Sequence, residues 1–261
     1  MMEWFDSHCH VDEEQFDEDR EAVLTRMREN GVTRCAVIGS DMETSRKAAA
    51  FAAAHSGIVA AGGFHPHEAS RFLEEDLEEI RDMYRSGQIR AVGEIGLDYY
   101  YDHSPRDVQR AVCIRQMELA WDLGAPAVFH IRDAHPDMLE IMKRMKGKLT
   151  GGIIHCFSGS TEMAKEYLKL GYYISFAGPL TFKKAPKLQE AAKLVPRDRL
   201  LIETDSPYMA PEPVRGRRNE PGNVRYVGLK LAELRGEAPE EVAAYTTENA
   251  MKVYGFQVRH P

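Results

Sequence analysis

Short apolar runs alternate with longer amphipathic segments along the whole chain, and this order predicts alternating strands and helices. The eight predicted strands are residues 4–8, 34–39, 58–63, 90–95, 125–130, 151–155, 172–176 and 200–204. Residues 35–38 and 127–129 are continuously apolar, which is typical of strands buried on both faces in a parallel sheet.

The segments between the strands carry apolar residues at helical spacing. Two such stripes are Leu73, Leu77, Ile80 and Tyr84, and Met138, Ile141, Met142 and Met145. Their spacing of three and four predicts helices packed against a core, and the methionines are interpreted as core packing. Two more helices are expected at 223–234 and 239–254, after a long functional loop at 207–223 that is rich in Pro, Gly and Arg.

Eight strands alternating with helices predict a closed parallel (β/α)8 TIM barrel with its active site at the C-terminal ends of the strands. The length of 261 residues is that of one such barrel, so we expect a single domain over residues 1–261. A doubly wound open sheet is the alternative, but no Gly-x-Gly-x-x-Gly follows the first predicted strand.

Charge and composition limit the classes of function. A formal charge of −7 argues against a protein that coats long duplex DNA, but allows an enzyme that binds a few phosphates locally. The start of the chain does not resemble a signal peptide, and no apolar stretch approaches the ~18 residues of a membrane span. The four cysteines are far apart and form no C-x-x-C pair, so we expect reduced thiols, no structural zinc and a cytoplasmic protein.

Chemically active side chains cluster at the ends of the predicted strands. They are His8 and His10, Glu94, His130, His155, and Glu203 with Asp205. Residues two apart on a strand point to the same side, so the first two imidazoles can reach one cation. Any one of these residues alone is as well explained as a surface or core residue, but five strand ends supplying such groups to one rim favour a metal site.

The residue types indicate which metals fit. Four histidines and two carboxylates suit Zn, Mn, Fe or Co, and Mg also fits if water and substrate phosphate complete its shell. Six ligands exceed the needs of one catalytic zinc, so two divalent ions sharing Glu94 are expected. Such a pair can hold a hydroxide that attacks a phosphodiester, with Asp205 taking the proton of the water or orienting the hydroxide.

With these motifs, the chain resembles the TatD family of metal-dependent deoxyribonucleases in the amidohydrolase superfamily. The resemblance covers essentially the whole chain. The matching segments are residues 6–10 (DSHCH), 63–67 (GFHPH), 93–99 (GEIGLDY), 155–159 (HCFSG), 203–208 (ETDSPY), 218–221 (RNEP) and 249–250 (NA).

The resemblance implies roles for individual residues. His8, His10 and Asp205 would hold one ion and His130 and His155 the second, with Glu94 shared between the ions. His65 would contact the scissile phosphate, and Glu203 would support the catalytic end of the eighth strand. The implied activity is Mg- or Mn-dependent hydrolysis of DNA, largely as a 3′-to-5′ exonuclease acting on DNA ends or single strands. We expect the protein to be a monomer.

Residues that would contact the substrate are less sharply defined. Arg132 follows a ligand strand and can meet a phosphate, or it can pair with Asp133 or a neighbouring carboxylate. Tyr99, Tyr100 and Tyr101 can stack on bases, although at least one of them is expected to pack under the rim. The loop arginines Arg215, Arg217 and Arg218 are either DNA contacts or solvated. Cys9 and Cys156, beside ligand histidines, are expected to point away from the metal.

Two other functions remain open at this level. The same nucleophile can hydrolyse an amide, a lactone or an aminoacyl ester, as in an aminoacyl-tRNA deacylase. A barrel that binds without turnover would carry a degenerate ligand set, and the motif positions here are all filled.

Overall fold

The computed structural model describes residues 2–148 and 150–256, and the termini of the predicted domain lie outside them. Within these residues, eight strands form one sheet in which each strand is parallel to the next. The strands are β1 (Trp4–Cys9), β2 (Val32–Ile38), β3 (Ile58–Gly62), β4 (Ala91–Asp98), β5 (Ala127–Arg132), β6 (Gly152–Ile154), β7 (Tyr173–Phe176) and β8 (Leu200–Ile202).

The ring closes between the last strand and the first. A parallel bridge joins Cys9 to Ser206, and the backbone N–H of His10 donates to the Ser206 carbonyl at 2.7 Å. The N–H of Asp205 donates to the His8 carbonyl at 2.9 Å. The predicted (β/α)8 barrel is therefore confirmed, and its closure brings the ends of β1 and β8 side by side.

Helices follow the strands in the expected order. They are α1 (Arg20–Glu29), α2 (Met42–Ala54), α3 (Asp76–Arg85), α4 (Arg106–Leu123), α5 (His135–Arg144), α6 (Thr161–Lys169), α7 (Pro186–Leu194), α8 (Val224–Arg235) and α9 (Pro239–Val253). None of these helices combines the length and the hydropathy needed to cross a bilayer, within the residues described.

The strands are buried on both faces, as their apolar runs predict. In β2, Cys35 and Val37 pack outward against helices, whereas Ala36 and Ile38 point into the barrel. Tyr254 packs against the barrel interior, and its hydroxyl donates to the Ser7 carbonyl at 2.8 Å. Because both faces are apolar, polar side chains collect where the strands end.

Several predicted boundaries differ from the structure. β4 and β5 run past the predicted ends to Asp98 and Arg132, whereas β6 and β8 stop earlier, at Ile154 and Ile202. Leu73 does not belong to the helical stripe: α3 begins only at Asp76, whose carboxylate accepts the Leu73 N–H at 2.8 Å. Leu73 is 55% exposed. Met145 caps the C-terminus of α5 rather than continuing it.

The loop after β8 is irregular, as predicted, apart from a short 3-10 turn at Pro221–Asn223. Asn219 anchors it. Its side-chain amide is buried and donates to the carbonyls of Thr204 at 3.0 Å and Tyr208 at 2.7 Å. These bonds hold the loop against the strand end that carries Asp205.

Candidate metal centre

The candidate ligands converge at the C-terminal rim of the barrel. His8 and His10 come from the end of β1, Glu94 from β4, His130 from β5, and His155 and Asp205 from just beyond β6 and β8. Gly96 allows β4 to approach β5 here, because it has a φ of +139° and a Cβ would lie 2.0 Å from the His130 carbonyl oxygen. The predicted convergence of the six side chains is therefore observed.

Glu94 lies between two sets of imidazoles. Its Oε2 is 3.3 Å from His8 Nε2, whereas its Oε1 is 2.7 Å from His155 Nε2 and 2.9 Å from His130 Nδ1. The carboxylate is almost fully buried, with 3% exposure. It therefore presents one oxygen to each side of the cluster, which is the arrangement required of a ligand shared by two cations.

The β1 side of the cluster is completed by Asp205. His8 Nε2 and His10 Nε2 lie 3.3 Å apart, and Asp205 Oδ1 is 3.7 Å and 3.5 Å from them respectively. The His155 ring stacks on the His8 ring with centroids 3.9 Å apart, which joins the two sides. Asp205 has a φ of +55°, a left-handed conformation uncommon for a non-glycine residue and frequent at functional sites.

Outer hydrogen bonds orient three of the four histidines. His10 Nδ1 is 2.9 Å from the Ile38 carbonyl oxygen, His155 Nδ1 is 3.1 Å from Glu203 Oε1, and His130 Nε2 is 2.9 Å from Asp98 Oδ2. When each ring is neutral, as a metal ligand must be, its outer nitrogen donates the remaining proton to that acceptor. The inner nitrogen is then left with a free lone pair directed into the cluster, as a metal ligand requires.

These features fit divalent cations. Two overlapping groups of inward-facing atoms lie close enough to share an ion: His8, His155 and Asp205; and His8, His10 and Glu94. A third close group joins His65 to Glu94 and His130, but there the inward nitrogen of His65 carries the proton of the neutral ring. Imidazole nitrogens and carboxylate oxygens suit Zn or Mn, and Mg as well if water and substrate add oxygen ligands. Outer acceptors on three ligands add the second layer that metal sites use.

The carboxylates of the cluster are ionised. Burial opposes this, but the charges of His155 and His8 hold the pKa of Glu94 well below its usual range. The pKa of Asp205 is also lowered, against burial, by a hydrogen bond from His10. The pKa of His10 is raised to about 9, because Asp205 outweighs the effect of burial. The site therefore holds negatively charged carboxylates, and a bound cation would take the place of the histidine protons beside them.

His65 lies beside the cluster with its proton directed towards it. Its Nδ1 accepts the backbone N–H of His67 at 3.1 Å, so the proton of the neutral ring is on Nε2, which is 3.6 Å from Glu94 Oε1. Burial and the charge of His130 lower the pKa of His65 well below its ordinary value, which keeps the ring neutral. His65 is therefore a hydrogen-bond donor placed next to the candidate ligands.

Sequence reasoning missed the role of Asp98. Its Oδ2 accepts from His130 and from His67 Nε2, each at 2.9 Å, and its Oδ1 accepts the N–H groups of Tyr100 and Tyr101. A signal was available, because Asp98 is four residues after Glu94 and so points to the same side of an extended strand.

Asp6 was also missed, and no local pattern identifies it. It accepts the Thr204 N–H at 2.8 Å and the Thr204 hydroxyl at 2.5 Å. Its carboxyl group is fully buried, and burial raises its pKa well above the ordinary value. These contacts tie the middle of β1 to the residue that precedes Asp205.

Arg132 lines the cavity at the cluster. Among the described residues it forms no ion pair with Asp133. Its guanidinium stacks over the rings of Tyr100 at 4.1 Å and Tyr101 at 4.7 Å. Tyr99, in contrast, packs between α4 and α5: its hydroxyl donates to Asp137 at 2.8 Å. Tyr99 is thus the packed member of the three tyrosines, and the other two are exposed.

The structure does not bring the loop arginines to the cluster. Arg218 donates to both oxygens of Asp19 at 2.7 Å and lies over the Phe16 ring. Arg215 lies over the Phe182 ring, 3.7 Å from Glu212. Arg217 is exposed and does not line the cavities at the cluster.

The prediction for the two cysteines was right for Cys9 and wrong for Cys156. Cys9 is buried, and its thiol points to the Ala36 carbonyl at 3.4 Å. Cys156 is partly exposed and lines the cavity beside His155. The reason is that β6 ends at Ile154 and the backbone turns at Cys156, with a φ of +41°, so strand alternation no longer applies. All four cysteines are free thiols.

Comparison with known proteins gives consistent results. The family model described as TatD related DNase matches residues 5–255. An uncharacterized metal-dependent hydrolase of Bacillus subtilis, YabD, is 44% identical over 250 residues, covering 96% of this chain and 98% of that protein. The 3′-5′ ssDNA/RNA exonuclease TatD of Cronobacter sakazakii is 34% identical over 96% of this chain and 97% of that protein. The crystal structure of YJJV, a TatD homolog from Escherichia coli, matches with a TM-score of 0.90 at 31% identity. The match covers 97% of this chain and 98% of that chain.

Proposed function

The chain belongs to the family of TatD related DNases, and we propose that it is a divalent-metal-dependent exonuclease that removes nucleotides from the 3′ end of single-stranded DNA. As a member of this family it is a metal-dependent hydrolase, and the proposal concerns the bond it cleaves and the end at which it starts.

The position of Glu94 carries the proposal. One of its oxygens faces His8 and the other faces His130 and His155, at 2.7 to 3.3 Å. We assign His8, His10 and Asp205 to one ion and His130 and His155 to the other, with Glu94 shared. When bound, a pair of divalent ions lowers the pKa of coordinated water and stabilises charge on the phosphate.

The chain's own residues do the remaining work. His65 Nε2–H donates to a non-bridging oxygen of the scissile phosphate, which places the phosphorus against the cluster. Asp205 accepts the proton of the attacking water on its carboxylate as the water oxygen bonds to phosphorus. The P–O bond to the rest of the strand breaks, and the released oxygen takes a proton from solvent. Glu203 and Asp98 hold the rings of His155 and His130 in their ligand orientation.

The choice of a phosphodiester is supported by relatives. Several that are 30–34% identical over at least 96% of this chain are named 3′-5′ ssDNA/RNA exonucleases. The donors at the site, His65 and the nearby Arg132, are also suited to a phosphate rather than to a neutral amide.

The test is hydrolysis of a single-stranded oligonucleotide in Mg or Mn. With a label at the 5′ end, we expect a ladder that shortens by one nucleotide at a time from the 3′ end. Glu94→Gln and Asp205→Asn should each lower kcat by at least about 1,000-fold, because each removes charge from the ion shell.

Asp122→Asn is the matched control, since this exposed aspartate is in the last turn of α4, at the other end of the barrel. It should retain full activity. If Glu94→Gln kept the wild-type rate, or if the protein cleaved aminoacyl esters but no oligonucleotide, the proposal would be wrong.

A further inference from the structure

The metal centre opens into a chain of three neighbouring cavities. The first, of about 390 Å³, contains His65, Glu94 and Tyr101. The second, of about 200 Å³, shares His155, Arg132 and Met209 with the first. The third, of about 690 Å³, shares Ser158 and Leu188 with the second. The second and third cavities together form a groove that leads away from the cluster over β6 and β7, and we call it the β6–β7 groove.

The two ends of this path differ in charge. The far end of the β6–β7 groove carries Lys184 and Lys187, both exposed and without an ion-pair partner among the described residues, against one acid, Asp133. The opposite side of the metal centre carries Glu13 and Glu68. A polyanion that leaves the centre is therefore favoured along the groove and disfavoured over the glutamates.

Backbone dipoles add to this asymmetry. The first turns of α5, α6 and α7 begin at His135, Thr161 and Pro186, all at or beside the wall of the far cavity. Each helix N-terminus carries partial positive charge and N–H groups without an intrahelical partner. Asp137 and Glu162 in the first turns of α5 and α6 offset part of this charge, and Ser160 caps one N–H of α6. His135 lies on the cavity floor at 6% exposure, and its Nε2 has no hydrogen-bond partner among the described residues.

The middle of the groove is apolar. Its wall there is formed by Phe157, Ala177, Pro179, Leu188 and Met209. Apolar and aromatic surface suits sugars and base faces, whereas the lysines suit the phosphates on either side. Along the path from the metal centre, a strand would therefore meet Arg132 first, the apolar wall next, and Lys184 with Lys187 last.

We propose that the β6–β7 groove binds the body of the substrate strand, the nucleotides on the 5′ side of the scissile phosphate, with Lys184 and Lys187 contacting its backbone. This inference rests on the proposed function. The cavity at Tyr101 then receives the terminal nucleotide that is released. Affinity should grow with strand length until the lysines are reached, and it should not depend on sequence.

Binding without turnover tests the groove directly. A 5′-fluorescein oligo(dT) of ten nucleotides is titrated with protein in EDTA, and anisotropy gives Kd. Lys184→Glu with Lys187→Glu should weaken binding about ten-fold and lower the salt slope by about 1.4, because each lost contact with single-stranded DNA removes about 0.7. Hydrolysis of bis(4-nitrophenyl) phosphate, which is too short to reach the lysines, should stay within about two-fold of wild type.

The matched control is Lys193→Glu with Lys252→Glu. It makes the same change in net charge, but both lysines are in the last turns of their helices, α7 and α9, at the other end of the barrel. It should bind the ten-nucleotide strand as wild type does. Equal weakening in the two double variants, or none in the groove variant, would overturn the inference.

The two proposals fail in different ways. If the wild type hydrolyses neither the oligonucleotide nor the small diester, the proposed function is wrong. If it hydrolyses both and the groove variant binds like wild type, the proposed function stands and only the strand path is wrong.

Discussion

At the scale of single residues, the outer hydrogen bonds decide what the histidines can do. His10, His130 and His155 each have an acceptor on the side away from the cluster, and their inner nitrogens are therefore free to bind a cation. His65 has the opposite arrangement, because its Nδ1 accepts a backbone N–H and its proton faces inward. Four chemically identical side chains thus divide into ligands and a donor according to their neighbours.

Glu203 is expected to act through His155. Its Oε1 is 3.1 Å from His155 Nδ1 and accepts the Cys156 N–H at 2.6 Å. In Glu203→Gln the negative charge behind the ring is lost, so we expect metal affinity to fall roughly 10- to 100-fold. Isothermal titration with Mn measures this effect.

Saturating metal separates positioning from catalysis in this variant. If Glu203 only orients His155, kcat recovers to near the wild-type value at high Mn. A variant with unchanged metal affinity and a low kcat at saturation would contradict the positioning role.

At the scale of elements, five strands supply the candidate ligands. Glu94 and His130 lie within β4 and β5, whereas His155 and Asp205 lie just beyond β6 and β8. The helix that follows a strand shapes the surroundings. The start of α5 shows this, because His135 packs between the rings of Phe157 and Tyr167, at centroid distances of 5.5 and 5.8 Å. Its imidazole is thus enclosed by residues from the β6 end and from α6.

This enclosure predicts a pH dependence of stability. Burial lowers the pKa of His135 to about 4 from 6.5, although Asp133 opposes the shift. The unfolded chain therefore binds this proton more readily than the folded protein. The contribution to stability is complete above pH 6.5 and declines as the pH falls towards 4, by about 2–3 kcal/mol at pH 4.5.

Urea unfolding at pH 7.5 and 4.5, with EDTA throughout, measures this contribution. His135→Gln cannot titrate, so it should lose about 2–3 kcal/mol less than wild type between the two pH values. The same pH dependence in both proteins would show that His135 does not couple protonation to folding.

At the scale of the whole molecule, the site links distant parts of the chain. The candidate ligands come from β1, β4, β5 and the ends of β6 and β8, so ions that bind them would join strands around the ring. Ions that bind only the folded barrel must stabilise it, because the unfolded chain does not bring these ligands together.

Metal removal should therefore lower the unfolding temperature. At an ion concentration 100 times Kd, one site adds about 2.7 kcal/mol, which corresponds to roughly 5–10 °C for a protein of this size. Scanning calorimetry in Mn and in EDTA gives the difference. Glu94→Gln should lose most of it and Asp122→Asn should keep it, whereas an equal shift in both variants would exclude Glu94 as a ligand.

The amino-acid sequence by itself determined the alternation of strands and helices, the closed barrel and the identity of the rim residues. These follow from local properties: apolar runs buried on both faces, helical spacing, and polar side chains placed where a strand ends. His8, His10, Glu94, His130 and Asp205 could be selected in this way because position relative to a strand end is a local feature.

Only the tertiary structure decided how these residues face one another. The two sides of Glu94, the bond from His130 to Asp98 and the engagement of Arg218 by Asp19 all depend on distances between separate elements. The turn at Cys156 and the β6–β7 groove also arise where strands of unequal length end beside helices. Local patterns carry no information on such distances, because closure of the barrel and packing of the helices set them.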